Sequence, residues 1–262
     1  MSAFSFGSYC PGDSAIHRMD PRAKLILGFA FLILSLAAGS WRALAAVAVF
    51  VAACLIVSRV PAERIWRSTA PLLGIVVLVA LVRLAVDAGD TVLVALGPFG
   101  ITSAGLCSCA FIAVRLTLMM LGMSLITLTT TTLDLTAGFE RLMQPLARFG
   151  LPAHELGMML GLALRFMPEF ADEMHDTYNA QVSRGAQLKG GLSGRVRMLA
   201  SVAVPLFASV FRRAETLSQA MEARCYHGER GRTRLHPLRY SRVDAAGAAA
   251  LACLAVAVLL LR

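Results

Sequence analysis

Five stretches of this chain are too apolar and too long to fit inside a soluble core. They run over residues 23–39, 43–57, 69–86, 104–128 and 245–261. A helix needs about 17–25 residues to cross the hydrocarbon of a bilayer, and each stretch reaches or approaches that length. Hydrophobic residues make up 57% of the chain and charged residues 16%, against about 45–50% and about 25% in soluble domains. A disordered chain, a disulfide-stapled secreted domain and an ordinary soluble enzyme are excluded. The pattern predicts an all-α polytopic membrane protein with about five transmembrane helices and a substantial polar portion.

The basic residues orient it. Arg18, Arg22 and Lys24 precede the first run, and Arg59, Arg64 and Arg67 follow the second. The link over 87–103 has neither Lys nor Arg. Short loops rich in Lys and Arg stay in the cytoplasm. The N-terminus is therefore expected inside, the 87–103 link outside, and the long stretch over 129–244 inside. Arg230, Arg232, Arg234, Arg239 and Arg242 lie before the last run and fit the same anchoring, not nucleic-acid binding. The first twenty residues are polar and turn-rich, so no signal peptide is expected. The expected organisation is a segment 1–128 with four spans, a cytoplasmic domain over 129–243, and a last span over 244–262.

That domain reads as about three helices, two of them long. Residues 133–149 predict a short helix with Asp134 as a candidate N-cap, closed by Gly150-Leu151-Pro152. Residues 155–188 and 196–226 predict the long pair, bent at Pro168 and Pro205. The apolar halves of the pair, 156–166 and 199–210, are candidates to dip into the membrane edge. Each long helix ends alike. Ser183-Arg184-Gly185 closes the first and Ala223-Arg224-Cys225 the second. Two readings stay open. A cation at a helix C-terminus complements the dipole by about 0.3–1 kcal/mol. Alternatively, the two guanidinium forks dock into a partner protein, a geometry that lysine cannot reproduce.

Nothing points to chemistry within the chain. The two lysines, Lys24 and Lys189, do not stand in a G-x-x-x-x-G-K-[ST] context, so no nucleotide site is expected. Cys107-x-Cys109 has no His or carboxylate near it, the five histidines form no H-x-x-x-H pair, and no metal site is expected. Arg115 stands near the middle of the fourth run. A charge there costs roughly 2.5–3.5 kcal/mol and is a functional candidate by default, either as an internal ion pair or as a contact with another membrane subunit. Arg83 ends the third run and reads as snorkelling outward or pairing with Asp87. Glu169, Asp172, Glu173 and Asp176 share one helix side and read as a solvated or intersubunit salt-bridge face.

Several segments, in order, carry a family resemblance. They are residues 6–14 (FGSYCPGDS) with 17–25 (HRMDPRAKL), 125–134 (LITLTTTTLD) with 142–146 (LMQPL), 162–168 (LALRFMP), 180–187 (AQVSRGAQ), and Ala214-Glu215 with 220–226 (AMEARCY). Together they resemble the transmembrane component, or T component, of the energy-coupling factor (ECF) transporters. The resemblance covers essentially the whole chain. It implies a non-catalytic subunit of a four-part importer in a prokaryotic cell membrane. Two ABC-type ATPases would bind ATP and Mg, with no cofactor in this chain. A separate substrate-binding membrane subunit, the S component, would carry a vitamin or a transition-metal ion. The family ends both coupling helices with a small residue, Arg and Gly, which assigns the ATPase contact to Ser183, Arg184, Gly185, Ala223, Arg224 and Cys225. Cys225 departs from that pattern, since Gly accepts positive φ freely and Cys disfavours it. On residues alone, a second class remains: an intramembrane lipid-modifying enzyme using Arg115 and the acidic helix.

Overall fold

The computed structural model describes residues 9–86, 92–96, 99–150, 152–185, 191–228 and 240–261. The helices are α1 (Pro21–Ala37), α2 (Trp41–Ser58), α3 (Ala62–Val86), α4 (Ser103–Thr129), α5 (Thr132–Met143), α6 (Ala153–Ser183), α7 (Gly191–Ala223) and α8 (Arg242–Leu260). A two-stranded antiparallel hairpin, β1 (Val92–Leu96) and β2 (Phe99–Thr102), joins α3 to α4, pairing Val94 with Ile101 and Leu96 with Phe99. The chain is an all-α polytopic membrane protein with this one small addition. It divides into two compact units, one of Gly7–Leu142 with Leu238–Arg262 and one centred on Met143–Pro237.

All five apolar runs form helices. Within α2, α3, α4 and α8, the segments Trp41–Ser58, Ala62–Arg83, Gly105–Thr129 and Arg242–Leu260 are long and apolar enough to cross a membrane. The 17 residues of α1 stand at the lower limit of about 17 for a span. The third helix starts well before its apolar run, because Glu63 and Arg67 pair at 2.6 Å across one turn and extend it. Polar side chains cap the ends: Asp20 starts α1, Ser40 starts α2, and Ser241 with Asp244 forms a capping box on α8.

The membrane unit is organised around α1, α2, α4 and α8. Phe31, Ala38, Ala43, Val47, Val51, Leu251, Leu254 and Val258 form its buried core. Two glycines let α1 and α4 approach closely. A Cβ at Gly122 would lie 2.3 Å from the Phe31 ring, and one at Gly28 would lie 2.3 Å from Ile126 Cδ1. Small residues at such contacts are how membrane helices gain packing without a hydrophobic drive between them. Helix α3 leans on α4 through a 2.6 Å hydrogen bond between the Ser68 and Ser124 hydroxyls.

One end of this unit is held by a buried polar knot. Lys24 Nζ donates to the Thr129 carbonyl at 2.9 Å, Thr130 Oγ1 at 3.0 Å and the His17 carbonyl at 3.5 Å. The His17 ring bridges Ser14 Oγ at 2.6 Å and the Cys10 carbonyl at 3.0 Å. The Cys10 N–H reaches the Leu128 carbonyl at 2.9 Å. Asp244 accepts from the Asp20 N–H at 2.8 Å and from the Ser241 N–H at 2.6 Å. The starts of α1 and α8 and the end of α4 therefore share one end of the bundle.

Two expectations for the polar portion change. Asp134 does not cap α5. Thr131 does, its hydroxyl accepting from the Asp134 N–H at 3.1 Å and donating to the Asp134 carboxylate at 2.6 Å. The short helix also does not run to 149. It gives way to a 3₁₀ segment over Gln144–Phe149, since Pro145 has no N–H to continue the α ladder. The long helices run unbroken through Pro168 and Pro205.

Candidate functional site: two arginine-bearing helix ends

Helices α6 and α7 pack as an antiparallel pair. Arg213 of α7 forms ion pairs with Glu169 and, at 3.7 Å, with Glu173 of α6. Farther along, the Tyr226 hydroxyl donates to Met158 Sδ at 3.1 Å. Numbers rise along one helix as they fall along the other. The two C-termini therefore point to opposite ends of the pair. At about 1.5 Å per residue, Arg184 lies roughly 20 Å from the crossing and Arg224 roughly 17 Å on the other side.

Both helix ends have the same local architecture. Arg184 is the C-cap of α6, and the Gly185 that follows has φ +89 and donates to the Val182 carbonyl at 2.9 Å. Arg224 occupies the same place after α7. Cys225 follows it at φ +55 and donates to the Glu222 carbonyl at 2.9 Å, and the Tyr226 N–H reaches back to the Met221 carbonyl at 3.0 Å. Those last two bonds are the Schellman pattern that closes a helix on a left-handed residue. Cys225 thus takes the conformation expected of Gly, and the departure from the family pattern leaves the helix end in place. A left-handed non-glycine residue costs roughly 1–2 kcal/mol. Ser183, Arg184, Gly185, Ala223, Arg224 and Cys225 are all exposed. Neither guanidinium has a hydrogen-bonding or ionic partner among the described residues.

The acidic side of α6 divides in two. Glu169 and Glu173 face Arg213, while Asp172 and Asp176 are exposed. Arg213 also lies over the Phe166 and Phe170 rings, at 5.9 and 5.7 Å to their centroids. The hydrogen bond with Glu169 holds the Arg213 pKa above its ordinary value, so it stays cationic throughout the physiological range. Sequence reasoning singled out the carboxylates and missed this arginine. The signal was present as a basic residue amid the apolar spacing of α7, but its partner lies some forty residues away.

Arg115 belongs elsewhere. Its guanidinium stacks over the Phe111 ring at 5.5 Å, and Phe111 meets Trp41, the first residue of α2, edge-on at 5.2 Å. Arg115 stands near the middle of α4, as its place in the fourth run predicts, and about one turn from the level of Trp41 at the start of α2. No internal ion pair forms at Arg115 among the described residues, and its Nε has no hydrogen-bond partner. Arg83 is exposed, and Asp87 lies outside the described residues.

Comparison with known proteins turns on the whole chain. The family model described as cobalt transport protein, CbiQ, matches residues 12–235. The energy-coupling factor transporter transmembrane protein EcfT of Thermosediminibacter oceani is 41% identical over 257 residues, 98% of this chain and 97% of the relative. The chain belongs to the CbiQ/EcfT family of transporter transmembrane proteins. Other EcfT proteins agree: that of Heliobacterium modesticaldum is 42% identical and that of Clostridium kluyveri 38%, each over 92% of this chain and 90% of its own length. The region matched by the family model contains Lys24 with its acceptors, Arg115 and both arginine-bearing helix ends. As a member of the EcfT family, the chain is a membrane-embedded transport protein.

Proposed function

We propose that the chain is the non-catalytic coupling subunit of an ABC-type ECF importer, passing the ATP-driven motion of two ATPase subunits to a substrate-binding membrane subunit. One observation carries the reading. Two helices end in the same cap, each presenting an exposed arginine without a partner among the described residues, at opposite ends of one hairpin. Two such ends, well separated, suit two similar partner subunits. The partners bind ATP and Mg and hydrolyse the nucleotide. The N-terminus and the α6/α7 unit face the cytoplasm of a prokaryotic cell, consistent with the arginine-rich loops and with the shared end of α1, α4 and α8. The substrate subunit carries a vitamin or a transition-metal ion. It covers the exposed apolar stripe of α7, made by Val196, Leu199, Val204, Phe207 and Phe211, and Arg115 serves as a further intramembrane contact.

The test is co-purification of the two ATPases with Arg184→Ala, Arg224→Ala and the double variant. Truncating one side of a buried, hydrogen-bonded charge pair costs about 2–5 kcal/mol, so each single variant loses ATPase capture and the double loses most. Lys at either place restores capture only in part, having the charge but not the fork. Membrane insertion is unchanged in all of them. Wild-type capture by the double variant would return both arginines to the role of helix caps.

A further inference from the structure

The crossing of α6 and α7 carries a repeat. Phe166-Met167-Pro168-Glu169 is followed by Phe170-Ala171-Asp172-Glu173, so the unit Phe-x-x-Glu occurs twice, four residues apart. Four residues is about one helical turn. Both aromatic rings and both carboxylates therefore fall on the same strip of α6, and the contacts of Arg213 show that this strip faces α7. Arg213 touches all four groups. It is bonded to Glu169, stands 3.7 Å from Glu173, and lies almost equally far from the centroids of the two rings, at 5.9 and 5.7 Å. The two carboxylates are not served equally. Glu173 Oε2 is buried without a hydrogen-bond partner, although a cation stands just outside bonding range.

A single guanidinium between two equivalent acceptors, one of them unsatisfied, is poised to exchange. We propose that Arg213 is a positioning residue with two seats on α6, Glu169 and Glu173, and that moving between them shifts α7 along α6 by one helical turn during the transport cycle. One-turn steps of this kind occur where a packed interface has two discrete arrangements and none between. The aromatic pair keeps the cation over a ring face at either seat, so the step does not strand it. Because Arg184 and Arg224 lie at opposite ends of the pair, the step changes the spacing between the two ATPase contacts. This inference rests on the coupling reading above, and its test separates the two.

The measurement is pulsed electron paramagnetic resonance on the chain assembled with its ATPases in lipid nanodiscs. Nitroxides are placed at Asn179→Cys and Thr216→Cys, both exposed positions, with the native cysteines replaced and Gly at 225. The wild-type crossing gives two distances, one without nucleotide and one with vanadate-trapped nucleotide, about 5 Å apart as a one-turn step requires. Glu173→Gln removes the second seat. It keeps ATPase capture at the wild-type level and holds the first distance in both conditions. Arg213→Lys, which retains the charge, still shows both distances. A wild-type complex with one distance throughout overturns the two-seat latch and leaves the coupling reading standing. So does a Glu173→Gln complex that shifts like wild type, or one that loses its ATPases, which would make Glu173 a structural residue. A wild-type chain that captures no ATPase overturns the coupling reading and the latch with it.

Discussion

The two units of this chain dispose of their charges in opposite ways. In the membrane unit, Lys24 and Asp244 are buried and hydrogen-bonded, and their bonds tie together chain segments more than a hundred residues apart. In the α6/α7 unit, one arginine is engaged at the crossing and two stand exposed at the ends, beside an apolar stripe left uncovered. A buried cation with its donors used holds a structure together. An exposed cation on a rigid helix end, with no partner among the described residues, is available to another chain. The same residue chemistry therefore separates stability from communication.

Lys24→Met probes the first half of that contrast most severely. It leaves the Thr129 carbonyl and the Thr130 hydroxyl without their buried donor, and a loss of about 3 kcal/mol is expected. Thermal unfolding in detergent should show it directly, whereas Arg184→Ala should leave the same transition within about 0.5 kcal/mol of wild type. Equal losses from both would erase the distinction between the units. Next in size is Gly122→Ala. The added methyl meets the Phe31 ring, and overpacking of this kind costs about 1–3 kcal/mol. No shift in the unfolding midpoint would mean that α1 and α4 are not closely packed.

The smallest effect sharpens the comparison within the α6/α7 unit. Gly185→Ala forces a side chain into the left-handed region and should cost about 1 kcal/mol. Cys225→Gly relieves the same strain and should gain up to about 1 kcal/mol, with ATPase capture unchanged. Proteolysis rates of the two variants would rank them. A Cys225→Gly variant that lost capture would give the thiol a role in docking that the cap geometry does not require.

Much of the architecture could be read from local pattern. Apolar runs gave the membrane helices, and Ser-Arg-Gly marked the end of α6, because both signals sit within a few residues of what they determine. The knot around Lys24 was invisible for the opposite reason: its acceptors lie 105 and 106 residues away in sequence. The cap of α5 was misplaced by three residues because Thr131 and Asp134 are both good capping residues, and only geometry decides which accepts the N–H. Apolar runs can understate helix length: α3 begins at Ala62, seven residues before its run. The β1–β2 hairpin sat inside a stretch read as a polar link, its strands only five and four residues long and the second holding Gly100.

The bond from the Asp20 N–H to Asp244 joins residues separated by 224 positions. A ribosome adding about 5–20 residues per second needs roughly 10–45 seconds to cover that interval. For the second half of this time α1, α2 and α4 have been made, yet α8, which supplies Leu251, Leu254 and Val258 to their core, does not exist. The bundle therefore waits as an open three-sided trough while the whole α6/α7 unit is synthesised. Quality-control proteases that recognise unpaired membrane helices have this interval in which to act. A chain stopped before residue 242 should be cleared from the membrane, although every one of its first four spans is intact.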